Sequence, residues 1–471
     1  METLKVDLCV IGAGSGGLSV AAGAAQLGAS VVLIEAHKMG GDCLNYGCVP
    51  SKSLLAAAKR ANVFRTSGAF GIQEEEPKVN FEKLQQHIQN VITTIAPQDS
   101  VERFEGLGVH VIRERASFLS PTLVQAGNTQ IKAKYFVIST GSSPAIVPLP
   151  GIENIPYLTN ETIFNLKEKP DHLIVVGGGP IGCEIAQAYR LLGVKTTILE
   201  AFTLLPREDP EIVDILRQRL KADGLNIFEK VKVLSVSQKK KVLYLEVEHE
   251  DKEITLEGSH LLMATGRKPN VDHLGLEEAG VRHTPKGITV DGRLRTTHKK
   301  IYALGDVIGG YQFTHMASYQ AGVVIKNCLF HLPSKVNDKT VPWVTFTDPE
   351  VAHVGLTHQQ VPPHTKTLYW PYKDSDRAQA ERETTGLIKV FTTPKGQILG
   401  VSIIGANAGE LILPWSLAIE KNLKLRALAD AIVPYPTLSE INKRVAGSFY
   451  TPLLFSPFTR KIVRFLMKVV P

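Results

Sequence analysis

Cys43 and Cys48 are separated by four residues in the run GGDCLNYGCVPSK, residues 40–52. Two thiols at that separation can clasp a metal, staple the chain, or open and close as a redox disulfide. A structural zinc site needs four ligands, and no second Cys/His cluster lies near this one in the sequence. The chain has only five cysteines, at 9, 43, 48, 183 and 328, which is not the framework of a small secreted disulfide protein. The following run, SLLAAAKRANVF, reads as a helix, so the pair stands at a helix entrance, where thiolate is favoured over thiol. Redox chemistry is the favoured reading, with a metal clasp and inert thiols as the alternatives. Cys9, Cys183 and Cys328 are read as small buried hydrophobes.

The elements that must position this pair are two copies of a nucleotide-binding unit. Residues 6–36 read as strand, Gly12-x-Gly14-x-x-Gly17, helix, and a strand ending at Glu35. Gly12 allows a tight turn, Gly14 lets the backbone approach a pyrophosphate, and Gly17 lets helix and strand pack closely. The helix N-terminus offers N–H groups to the phosphates, and Glu35 can accept from a ribose diol. The pattern recurs at residues 172–201, with Gly177, Gly179 and Gly182 and a closing Glu200. The distance from first glycine to closing acid is 23 residues in both copies, which makes a chance glycine turn a poor explanation. Further echoes follow each unit: ISTGSSP at 138–144, with Thr140 and Gly141, and MATGRKPN at 263–270, with Gly266 and Arg267. Two dinucleotide sites in one chain imply a relay from a nicotinamide to a flavin. Glu200 repels a 2′-phosphate, and the next basic residue is Arg207, so NADH is favoured over NADPH.

A chain of 471 residues accommodates about three domains. Hydrophobic content of 44% and charged content of 21% fit a globular protein. Leu8–Ile34 carries no charged residue and is long enough for a bilayer, but GAGSGG interrupts it, and buried βαβ units have this composition. No basic leader precedes it, so a cytoplasmic protein is expected. The net charge is +7, yet residues 441–471 alone hold six basic and no acidic groups. The rest is nearly neutral, with 47 basic and 46 acidic residues, and gives no reason to propose nucleic-acid binding.

Nearly the whole chain resembles the two-cysteine flavoprotein disulfide reductases, the class I pyridine nucleotide-disulfide oxidoreductases. That family includes lipoamide dehydrogenase, glutathione reductase and mercuric reductase. GGDCLNYGCVPSK carries the resemblance, as do IYALGDV at 301–307, PWVTFTDPEVAHVGLT at 342–357 and QILGVSIIGANAGELI at 397–412. It implies an α/β fold with two Rossmann-like domains, for FAD and NAD(P), and a C-terminal α+β dimerisation domain. The implied layout is an FAD domain at 1–150, an NAD(P) domain at 151–270, a return to the FAD side at 271–340, and a dimerisation domain at 341–471. It implies that Cys48 lies beside the flavin as a charge-transfer thiolate and that Cys43 meets the substrate. It further implies that Lys52 pairs with Glu184 near the flavin N5, and that Asp306 contacts the ribityl chain. His315, in FTHMA, either lines the flavin site or is a structural histidine.

One departure bears on the acceptor. Lipoamide dehydrogenases and glutathione reductases end on His-Pro-Thr-x-x-Glu; here VPYPTLSE, residues 433–440, keeps Glu440 but has Tyr435 at the histidine place. A phenol near ~10 is a poor base at neutral pH where a histidine near ~6.5 is a good one. Mercuric reductases carry tyrosine there, so mercuric reductase-like activity leads, although this chain ends RFLMKVVP without their C-terminal cysteine pair. The alternatives are a dihydrolipoamide dehydrogenase, an NADH:quinone or diaphorase-type reductase, and a flavin-binding scaffold without turnover. No resident metal is expected. The resemblance also implies a homodimer, each active site drawing its C-terminal segment from the partner. Finally, RKIVRFLMKVVP at 460–471 places Arg460, Arg464 and Lys468 in one helical stripe beside Lys461, with Ile462, Val463, Phe465, Leu466, Met467, Val469 and Val470 covering the rest. Such a tail packs across a dimer or lies on an anionic membrane, and in the second case a lipid quinone enters as an acceptor.

Overall fold

In the computed structural model, which describes residues 2–469, the uncharged run from Leu8 to Ile34 forms strand, helix and strand, not a membrane span. Among the described residues no helix is long and apolar enough to cross a membrane. The strand Glu2–Ile11 runs parallel to Val31–Ile34 on one side and Thr129–Ile138 on the other. Val109–Ile112 extends the set beyond Val31–Ile34, and Ile301–Ala303 joins it alongside Thr129–Ile138. Both faces of this sheet are covered. Leu8, Val10 and Leu33 pack with Val20 and Ala24 of helix Ser15–Gln26. Cys9, Ile11 and Ile34 pack on the opposite side with Phe118, Leu276 and Ile288. Two-sided burial explains why the strand lacks polar alternation, and each fully buried Leu or Ile contributes about 1.5–3 kcal/mol.

The second unit of the same design has His172–Val176 parallel to Lys195–Glu200 and to His260–Met263, with helix Pro180–Leu191 between the first two strands. An antiparallel meander follows, Lys232–Lys239 to Val242–His249 to Lys252–Gly258.

The chain divides into two compact units, residues 1–201 with 228–337 and residues 202–227 with 338–471. The second unit holds a five-stranded antiparallel sheet in the order Trp343–Thr345, Glu350–Gly355, Ile398–Gly405, Leu387–Thr392, Lys366–Pro371. Trp415 is its largest fully buried side chain, and its indole N–H donates to Asn442 Oδ1 at 2.7 Å, so the ring is buried without an orphaned donor. Helix Glu440–Ser448 leads through Thr451–Leu454 to a final helix, Pro457–Val469. Val470 and Pro471, part of the basic tail in the sequence, lie outside the described residues.

Candidate active site

The two sulfurs come from two consecutive helices. Gly40 and Gly41 turn the chain with φ of +85° and +57°, and a Cβ on Gly41 would stand 2.7 Å from Gly14 Cα. Only glycine lets this loop rest backbone-to-backbone on the first glycine turn. Cys43 rides on the short helix Gly41–Asn45, and Cys48 opens the long helix Cys48–Thr66. The loop is pinned at Asp42. Asn160 Nδ2 donates to Asp42 Oδ1 at 3.0 Å and to Tyr46 O at 3.2 Å, and Arg267 Nη2 stands 3.2 Å from Asp42 Oδ1.

Cys43 and Cys48 are free thiols, hydrogen-bonded to each other. Thr314 Oγ1 stands 3.3 Å from Cys48 Sγ and also bonds Cys43. The Cys48 thiol is drawn down to about 6, chiefly by the hydrogen bond from Cys43, against the cost of burial, with Thr314 and the Lys52 charge adding to it. The Cys43 thiol is pushed up by the same bond, by burial and by the neighbouring Cys48 charge. The reduced pair therefore holds one proton on Cys43 and a negative charge on Cys48.

Lys52 lies one turn beyond Cys48, on the same helix face. Its Nζ meets Glu184 Oε2 at 2.6 Å. Glu184 is buried on helix Pro180–Leu191, the helix that leaves the second glycine turn, so the second nucleotide unit reaches the cysteine helix. Arg65 reinforces the pairing by donating to Leu191 O at 2.6 Å.

The two glycine turns answer whether dinucleotides fit. A Cβ on Gly12 would stand 2.4 Å from Ser139 O, and one on Gly17 would stand 1.8 Å from Gly12 O. The corresponding distances at Gly177 and Gly182 are 2.3 Å, to Ala264 O, and 1.9 Å, to Gly177 O. The outer glycines are thus required by the protein's own packing. The middle ones face open space: nothing lies near Gly179, and only Gly41 Cα approaches Gly14, at 4.0 Å. The helices starting after Gly14 and Gly179 have no side-chain N-cap, which leaves their first N–H groups for a phosphate. Each closing acid braces its own turn. Glu35 accepts from the backbone N–H of Ala13 and of His37, both at 2.7 Å, and Glu200 accepts from Gly178 N–H at 2.6 Å. A carboxylate retains further lone pairs for a ribose diol. Gly141 and Gly266 also face open space, with φ of +68° and +120°, while Thr140 Oγ1 donates to Asn270 O at 2.7 Å. These residues fit two dinucleotides.

Asp306 accepts from Ser142 Oγ at 2.6 Å, and burial raises its pKa although Ser142 and Arg267 pull it back. Arg267 is a junction: Nε donates to Ser142 Oγ at 2.7 Å, Nη2 to Ser142 O at 2.8 Å, and Asp306 lies 3.7 Å away. His315 stacks on Phe313 with centroids 5.2 Å apart. Cys9, Cys183 and Cys328 are buried, and burial raises all three thiols, Cys328 to about 12.

Tyr435 and Glu440 belong to the second unit. Tyr435 is exposed, and its hydroxyl donates to Asp376 Oδ2 at 2.9 Å, which raises the phenol pKa further from neutrality. Glu440 opens its helix and lies 3.6 Å from Arg444. Sequence reasoning did not single out Thr314, Asp42, Asn160 or Asp376. Each acts through a partner distant in the chain; Asp42 had a local sign in its place beside Cys43, and Thr314 in its place beside His315 after the IYALGDV run.

Two family models match the chain. The one described as pyridine nucleotide-disulphide oxidoreductase covers residues 6–321, and the dimerisation domain of the same family covers 341–446. A mercuric reductase of Staphylococcus aureus is 35% identical over 449 residues, covering 94% of this chain and 82% of that protein. A dihydrolipoyl dehydrogenase of Geobacillus stearothermophilus is 33% identical over 455 residues, covering 94% and 96%. Among solved structures, the Cu(II) complex of the HOCl-induced flavoprotein disulfide reductase RclA from Escherichia coli superimposes with a TM-score of 0.85 at 28% identity, over 94% of this chain and 99% of that one. LpdA from Mycobacterium tuberculosis gives 0.86 at 28% identity, with the same coverage.

Proposed function

This chain belongs to the pyridine nucleotide-disulphide oxidoreductase family, FAD-dependent oxidoreductases of NAD(P)H, and from that premise we propose that Cys43 and Cys48 are its redox pair and that its acceptor is a thiophilic metal ion. The observation that carries the reading is the pair itself: two thiols in contact, held by Thr314 and Lys52, on a loop seated against an open glycine turn. Gly12, Gly14, Gly17, Glu35 and Asp306, on residues 1–150 and 271–340, are assigned to FAD. Gly177, Gly179, Gly182 and Glu200, on residues 151–270, are assigned to the nicotinamide dinucleotide, and the Glu200 carboxylate favours NADH. Bound FAD supplies the two-electron relay between nicotinamide and sulfur.

The protein's part is to manage sulfur, charge and one proton. Two electrons and one proton open the Cys43–Cys48 disulfide to a Cys43 thiol and a Cys48 thiolate. That protonation state is the one favoured by the hydrogen bond between them and by Lys52. Lys52 is kept in place by Glu184 at 2.6 Å. Cys43 is the sulfur assigned to the acceptor. Soft thiolates select soft ions, and reduction of Hg(II) consumes the two electrons, re-forms the S–S bond and releases the Cys43 proton. The C-terminal segment supports a metal over a dithiol. Dihydrolipoamide oxidation needs a base, whereas Tyr435 is a phenol held as a donor by Asp376. Residues 341–471 are assigned to a homodimer in which Tyr435 and Glu440 serve the partner's sulfur pair.

The test is NADH oxidation by the FAD-loaded enzyme with Hg(II), Cu(II), lipoamide, glutathione disulfide and a quinone in parallel. A metal ion is expected to give the fastest turnover; faster turnover with lipoamide overturns the reading. Tyr435→His is expected to raise lipoamide turnover by about a hundredfold, the lower end of what a positioned general base contributes.

A further inference from the structure

The final helix, Pro457–Val469, has no buried residue. Phe458 is 72% exposed, Phe465 63% and Val469 61%, and Leu453, Leu454 and Phe455 just before them are exposed as well. At 100° per residue, Phe458, Ile462, Phe465, Leu466 and Val469 share one face of the helix. Arg460, Lys461, Arg464 and Lys468 share the opposite one, and neither the helix nor the residues from 441 onward contain an acid. An apolar face this continuous does not persist uncovered on a protein in water.

We propose that this helix docks on an anionic lipid surface. Three observations choose that occupant. First, the match to the family's dimerisation domain ends at residue 446, before this helix begins, so the helix is an extension beyond the matched domain. Second, the two faces are divided as an interfacial helix requires, with aromatic and aliphatic side chains opposite a purely basic stripe. Third, the charge is matched: four cations with no acid among them suit a sheet of phosphate head groups and suit poorly a second copy of the same basic tail. Thirteen residues of helix reach about 20 Å, short of the ~30 Å hydrocarbon core, so the helix lies in the interface plane with its axis along the membrane. The Arg and Lys stems extend their charges back toward the head groups while the rings enter the acyl boundary.

The experiment is co-sedimentation of the FAD-loaded full chain with vesicles of phosphatidylcholine alone and with added phosphatidylglycerol. Truncation after residue 456 and the triple substitution Arg460→Gln, Arg464→Gln, Lys468→Gln are run beside it. Sedimentation velocity of all three proteins reports their oligomeric state. The full chain is expected to pellet with the anionic vesicles, weakly with the neutral ones, and less at high salt, because screening contracts to ~3 Å at 1 M. The triple variant loses roughly a hundredfold in partition, at about fivefold per charge, and the truncation loses binding altogether. Oligomeric state and NADH oxidation stay unchanged in both. Equal pelleting of the full chain and the truncation overturns the proposal. So does a truncation that falls apart into monomers while the full chain ignores vesicles, which would assign the helix to a second copy.

Discussion

Cys48 and Cys183 each stand in the opening turn of a helix that leaves a glycine-containing loop, yet they are chemical opposites. The Cys48 thiol is drawn down to about 6. Cys183 is fully buried, its S–H donates to Gly178 O at 3.3 Å, and burial with the charges of Glu184 and Glu200 pushes its thiol up. A helix entrance therefore does not by itself make a thiolate. The difference is made by what surrounds the sulfur: donors from Cys43 and Thr314 and a cation at Lys52 in one case, full burial, a carbonyl and the three acids Glu184, Glu200 and Glu229 in the other.

The largest effect that tests this contrast comes from removing a sulfur. Cys48→Ser or Cys43→Ser should cut metal-dependent NADH oxidation by at least about a hundredfold, and the double variant should be no worse than either, since the two act as one unit. An additive loss in the double variant breaks the pair as a concept. Next is Thr314→Val. It removes a donor to the Cys48 thiolate, so the thiol pKa rises from about 6 by about one unit, the size of one charge-assisted hydrogen bond. The pH profile of iodoacetamide alkylation in the reduced enzyme should shift its midpoint upward accordingly, and Thr314→Ser should restore it. An unmoved midpoint would leave Cys43 and Lys52 as the only determinants. The smallest effect is Cys183→Ala, expected to cost about 1 kcal/mol in thermal or urea unfolding and to leave the alkylation midpoint in place. A moved midpoint would mean that the two cysteines are coupled and the contrast is false.

What could be read in the sequence was whatever is encoded at short range. The glycine spacings, the closing acids and the cysteine pair are local, because a turn and the helix after it are built from neighbours in the chain. Lys52 with Glu184 was legible only through family resemblance, since 132 residues separate them and nothing in either neighbourhood names the other. Thr314 beside Cys48 is 266 residues away, and its only sign in the sequence was its place next to His315. Tyr435 was noticed for its substitution, but its partner Asp376 opens the helix Asp376–Glu381, 59 residues away in the chain. The grouping of residues 202–227 with the C-terminal sheet likewise has no local sign, because it depends on which surfaces meet after folding.

The contact of Gly41 with Gly14 has a consequence for anyone who would rebuild this chemistry elsewhere. The sulfurs are not an independent attachment; their loop uses the first glycine turn as its floor. Transplanting GGDCLNYGCVPSK without that floor would carry over the thiols and lose their coordinates. A side chain at Gly41 would meet Gly14 Cα at 2.7 Å and lift the cysteine loop off that turn.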